Sequence, residues 1–145
     1  GGDLYLYNLA PGHPVTTDGI SYPDKAPKFN AFHPNVNNTK KILTEELTPE
    51  FKEKIPSLST QSVIKLPESE YFINHIPLPE PTRQILLGLY FTDPKSGRQF
   101  ISANGGWLLH RGAGMLFYFM PGHSIKDYTD NYNRIIANAI IYDQK

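Results

Sequence analysis

The residue best placed to do chemistry is His123, which follows the apolar run Met115–Met120 and the pair Pro121-Gly122. A histidine delivered by a strand and a glycine turn is held firmly yet stays reachable, and its ordinary pKa of about 6.5 suits proton transfer. Its competing role is to cap or hydrogen-bond a neighbouring loop, and position alone favours that role. A second candidate is Leu66-Pro67-Glu68-Ser69-Glu70-Tyr71. In an extended segment Glu68 and Glu70 point the same way, and like charges that close push two pKa values apart, as carboxylate pairs do in sugar chemistry. Taken alone, the segment reads better as a solvated acidic loop. The third candidate is Trp107, the single tryptophan, set between Gly105-Gly106 and His110-Arg111. An exposed indole offers a flat face to a sugar ring and Arg111 a fork of donors. Core packing for Trp107 and a surface ion pair for Arg111 are the ordinary alternatives.

Other chemistries lack their patterns. His13, His33 and His75 are far apart, and no HxH, HxxxH or HExxH spacing puts two ligands on one face, so a metal site would need long-range assembly; a metal-dependent hydrolase built on scattered His and carboxylates ranks last, and no metal and no cofactor are expected. The glycine clusters at 105–106 and 112–114 do not have the spacing of a phosphate loop, and there is no GxSxG elbow. With no cysteine there is no disulfide, thiolate site or cysteine nucleophile. Fourteen Lys plus Arg against fourteen Asp plus Glu leave no basic stripe for phosphates, which argues against nucleic acid. No apolar run reaches membrane-spanning length, and Gly1-Gly2-Asp3-Leu4 is not a signal-peptide start. The expectation is a soluble protein without a membrane partner, the cytoplasm being favoured, and a processed product or fragment.

At 145 residues, the chain fits one domain. Leu4–Leu9 predicts a strand that ends at Ala10-Pro11-Gly12. The polar, proline-bearing stretch Thr16–Asn38 predicts a surface excursion, and Thr39 and Thr48-Pro49 open two short helical pieces. Gln84–Phe91, the turn Asp93–Gly97 and Arg98–Ile101 predict a hairpin, and the unbroken apolar run Met115–Met120 predicts a strand buried on both faces. Tyr132, Ile135, Ile136, Ala139 and Ile140 fall at helical spacing behind a cap at Thr129 or Asp130. Strand, turn, loop and helix in that order suit a layered α/β fold, with His123 on its functional rim. A weak echo links Tyr5–His13 with Leu116–His123 as two similar strand-to-turn solutions.

Gly112–His123, continued by Asp127-Tyr128 and Arg134–Ile140, resembles the closing segment of the trehalose-utilisation (ThuA-like) family, where a G-x-G-x-x-F-Y-x-x-P-G-H strand-turn precedes a helix containing I-x-N-A. Upstream, Leu66–Tyr71 is similar to the family's L-P-x-E-E-x-Y segment and Ile76–Pro81 to its D-I-P-x-P pattern, so the likeness covers residues 64–142. Leu9–Val15 is similar to a mid-family segment containing H-P-I.

The resemblance implies an α/β, flavodoxin-like sandwich related to class I glutamine amidotransferases, here incomplete or its C-terminal portion: a single domain over 1–145 with 21–62 as an insertion. It implies binding or processing of a disaccharide such as trehalose or an oxidised derivative. His123, Glu68 and Glu70 would be the catalytic groups, and Tyr71, Trp107, Arg111 and Gly122 the substrate contacts. Ser124 stands where the family often has Glu, and Ser69 splits the acidic pair. Those departures favour the alternative, a non-catalytic binding or interaction module on the same scaffold. An incomplete sheet would expose a strand edge, so a homo-oligomer or association with a missing N-terminal segment is also expected.

Overall fold

The structure, a computed structural model, describes residues 4–26, 61–67, 83–92, 99–122 and 124–142. In chain order these form β1 (Leu4–Asn8), α1 (Pro14–Thr17), β2 (Asp24–Lys25), β3 (Ser62–Leu66), β4 (Gln84–Thr92), β5 (Gln99–Arg111), β6 (Gly114–Phe119), a 3-10 turn (Ile125–Asp127) and α2 (Asp130–Ile141). The strands make one six-stranded sheet in the order β2-β3-β1-β4-β5-β6, antiparallel at every pairing.

Alternation along β1 explains how both faces of the sheet are buried. Leu4 and Leu6 join Ile64, Leu66, Leu87, Leu89 and Leu108 beneath Tyr132, Ile135 and Ala139 of α2. Tyr7 turns to the other face with Val63, Tyr90 and Ala26, and Tyr5 packs against that cluster. Each fully buried leucine contributes about 2 kcal/mol, so the α2 side holds the larger share of the hydrophobic stabilisation. On the opposite face Tyr5 lies directly across from Tyr90, their rings edge to face at 6.0 Å.

The centre of the sheet is irregular. Ile85 pairs with Trp107 but Leu87 with Gly106, so Leu86 is an extra residue on β4, a bulge. The slip brings Leu86 into the same cluster as Leu87, while Ile85 packs with the other. Between Leu87 and Leu89 the surplus passes to β5, around Gly105. A Cβ on Gly105 would come within 2.7 Å of the Leu89 Cγ and 2.9 Å of the Leu87 carbonyl oxygen. Gly105 therefore marks a close approach of two backbones, whereas a Cβ on Gly106 would press on the Phe119 and Leu87 side chains.

This architecture corrects the expected fold. A flavodoxin-like sandwich needs parallel strands joined by crossovers of a dozen or more residues, commonly helical. Here Arg111 pairs with Gly114 across a two-residue loop, with Gly112 at φ +56° and Ala113 on the negative side, the pattern of a type II′ hairpin turn. A strand entered that way must run antiparallel. The run Met115–Met120 is accordingly not a central strand buried on both faces: all but Met120 belongs to β6, which among the described residues is an edge strand, and Leu116 is 50% exposed. The α/β amidotransferase-like description fails with it, since the described residues contain two α-helices against six strands.

Other expectations match the structure. Leu4–Asn8 is a strand, Gln84–Thr92 pairs with Gln99–Arg111, and Thr129 caps the final helix by accepting from the Tyr132 N–H. The helical pieces expected over 39–54 and the turn at 93–97 lie outside the described residues. From the expected 21–62 insertion, Asp24-Lys25 pairs with Val63 and Ser62 as part of the sheet.

Candidate functional site

Of the residues singled out in the sequence, Trp107, Arg111 and Gly122 are described, whereas Glu68, Glu70, Tyr71 and His123 lie outside the described residues. The three described ones are strung along the β5–β6 hairpin. Arg111 is exposed at its tip, Trp107 sits four residues back along β5, and Gly122 follows the far end of β6. Arg111 and Gly122 thus lie towards opposite ends of the hairpin, with the length of β6 between them. Trp107 is packed: Tyr118, directly opposite on β6, stacks on it at 5.1 Å, and the Arg83 guanidinium lies 5.3 Å from the ring centroid. With 7% of its surface exposed, the indole has no open face for a sugar.

The turn after β6 is clamped from α2. Tyr132 donates its hydroxyl to the Pro121 carbonyl at 2.7 Å, and Tyr128 stacks on Tyr132. Gly122 takes φ +136°, and a Cβ there would collide with the Tyr128 hydroxyl. Burial pushes the Tyr132 phenol up, helped by Tyr128, Asp127 and Tyr118 nearby, so it stays a neutral donor. Next, the Ser124 side chain accepts from the Lys126 N–H while the fully buried Asp127 carboxylate accepts from the Ser124 N–H at 3.0 Å. Ser124 is thus half of a capping box, a signal that Ser-x-x-Asp carries in the sequence.

A second polar seam joins α2 to α1. Asn138, 5% exposed, donates through Nδ2 to the carbonyls of Pro14, Val15 and Asp18, the last at 2.8 Å. Arg134 donates to the Asp18 carbonyl, and Asn131 accepts from the Ser21 N–H. His13 caps α1: its Nδ1 accepts from the Val15 N–H at 3.2 Å, its ring faces Tyr142, and its buried Nε2 has no partner. Burial holds its pKa below the usual histidine value. Pro14, Asp18, Asn138, Ile141 and Tyr142 line a cleft of about 230 Å³ beside it. Sequence reasoning overlooked Asn138, although an asparagine beside Ile135 and Ala139 on the apolar stripe was a visible signal.

The outer edge of β6 is where the geometry is open. In a two-residue hairpin the pair flanking the loop, Arg111 and Gly114, exchanges both backbone hydrogen bonds, and bonded pairs then recur at every second residue. The Met120 N–H bonding the Gly105 carbonyl at 3.1 Å continues that parity. The backbone groups of Leu116 and Tyr118 therefore point into the sheet, and those of Met115, Phe117 and Phe119 point out. Among the described residues no strand pairs with that side. Phe117 and Phe119 stack on each other at 6.2 Å, and Phe117 meets Tyr142 edge to face, so the strand is stiffened from the α2 side.

No family model, curated protein or solved structure matches this chain. Among the described residues no helix is long and apolar enough to cross a membrane, and no group of three or more His, Asp or Glu is placed to hold a metal ion.

Proposed function

We propose that this domain is a non-catalytic interaction module that takes up an extended polypeptide segment as an added strand on β6. One observation carries the reading: among the described residues β6 ends the sheet with an outward-facing row of N–H and C=O groups that no strand pairs, and Gly114–Phe119 contains no charge and no proline. Such an edge is a template for another strand, and main-chain hydrogen bonds supply the affinity while alternate side chains set the preference. Leu116, half exposed beside Tyr118, supplies the apolar contact.

The test is a panel of short random peptides selected on the full chain, followed by amide hydrogen exchange. Bound peptides are expected to slow exchange at Met115, Phe117 and Phe119 and to leave Leu116 and Tyr118 unchanged. Binding that protects none of the three amides would remove the reading. The competing disaccharide reading rests on the resemblance around Leu66–Tyr71 and Pro121–His123. It requires trehalose at saturating concentration to raise the melting temperature by several degrees, whereas the strand-addition reading expects no shift.

A further inference from the structure

We infer that the strand β6 receives is the β6 of a second copy of this chain, joined antiparallel about a two-fold axis at Phe117; the inference rests on the strand-addition reading. The register follows from which groups face outward. Placing Phe117 opposite its own copy sets Met115 opposite the partner's Phe119, so every outward N–H and C=O of β6 meets a complementary group, making roughly six backbone hydrogen bonds. A shift by one residue would face outward groups with inward ones and form none. In the same register Leu116 falls opposite the partner's Tyr118, which covers the side chain that is 50% exposed in the single chain. The two-fold arrangement also carries the exposed Arg111 of each copy to opposite ends of the junction, so the two guanidinium groups do not meet. The chain has zero formal net charge and does not repel its copy at long range. A self-matching, charge-free strand with its side chains already stiffened by Phe117–Phe119 stacking fits a copy of itself better than a partner that must be ordered on binding.

Sedimentation of the full chain over a range of concentrations, with hydrogen exchange at the two ends of that range, tests this. The expected result is a dimer whose Met115, Phe117 and Phe119 amides become protected as it forms. Leu116→Lys sets a charge against the partner's Tyr118 and is expected to give a monomer with an unchanged melting profile of the single domain, since the side chain it replaces is exposed. Ile140→Lys, on the exposed side of α2, is expected to leave the dimer intact. A chain that stays monomeric at the highest concentration overturns the inference. The strand-addition reading survives that outcome if selected peptides still protect the three amides, and falls with it if they do not. A dimer broken by Ile140→Lys and not by Leu116→Lys assembles through the helix and also overturns the inference.

Discussion

The sheet ends in two edges that are built in opposite ways. At one end β2 is two residues long, Asp24 and Lys25, both charged, with Pro23 just before them. Where β2 stops, the Asp24 carboxylate accepts the Lys65 N–H at 2.8 Å, satisfying a donor that a longer strand would have paired. Shortness, charge and proline are the means by which proteins close an edge to further strands. At the other end β6 has six residues, none charged and none proline. The difference teaches that, among the described residues, shortness, charge and proline guard one edge of the sheet and not the other.

The change expected to hurt most lies between the edges and should harm both. Gly105→Val places a Cβ against the Leu89 Cγ and the Leu87 carbonyl, and the Leu87 backbone cannot yield without losing its pairing to Gly106. The loss is expected to be about 3 kcal/mol, read as a lower midpoint in urea unfolding. Next come two proline substitutions on neighbouring residues. In the dissociated single domain, Leu116→Pro deletes an N–H that bonds the Leu109 carbonyl, for about 2 kcal/mol, whereas Met115→Pro deletes an outward N–H and costs about 1 kcal/mol through lost packing alone. Equal losses in the two variants would show that the parity assigned to β6 is wrong.

That parity could have been read from the sequence, because Gly112-Ala113-Gly114 sits between two apolar runs and a two-residue turn makes them a hairpin. The run Met115–Phe119 pointed elsewhere because continuous apolarity looks the same in a central strand as in an edge strand whose one face is covered by a helix. The side chains of β6 are apolar because α2 and Tyr142 cover Phe117 and Phe119, and Trp107 covers Tyr118. Local patterns read well: β1, the β4–β5 pairing and the Thr129 cap depend on neighbours in sequence. Strand order did not, since β1 lies between β3 and β4, and nothing near Leu4–Asn8 records those partners. Residue types that do sugar chemistry mark a candidate site in sequence, but a strand edge, which presents backbone groups, has no residue type to mark it.

The protected edge gives a smaller test. Asp24→Ala removes the acceptor for the Lys65 N–H and is expected to cost about 1 kcal/mol, with Asp24→Asn recovering most of it because an amide oxygen can still accept. Thermal melts of the two variants separate the hydrogen bond from the charge. If Asp24→Asn, which keeps the acceptor and loses the charge, also creates a second association site in sedimentation, then the charge was what kept β2 closed.

The smallest expected effect lies away from both edges, at His13, and it has a sign. Burial lowers its folded pKa below 6.5, so in the interval beneath that value the unfolded chain binds the proton more tightly than the folded one. The stabilisation is therefore complete above 6.5 and is lost as pH falls through the folded value. The structure supplies the reason: protonation adds a hydrogen to Nδ1, the atom that accepts from the Val15 N–H, and Nε2 has no partner to take up a charge. His13→Asn keeps a capping acceptor that does not titrate. Its melting temperature is expected to change less between pH about 7 and pH about 5 than that of the parent chain. An identical pH response in the two proteins would place the titrating group elsewhere, whereas a response that disappears would assign it to the cap of α1, a loss that leaves the amide protection pattern of β6 unaltered.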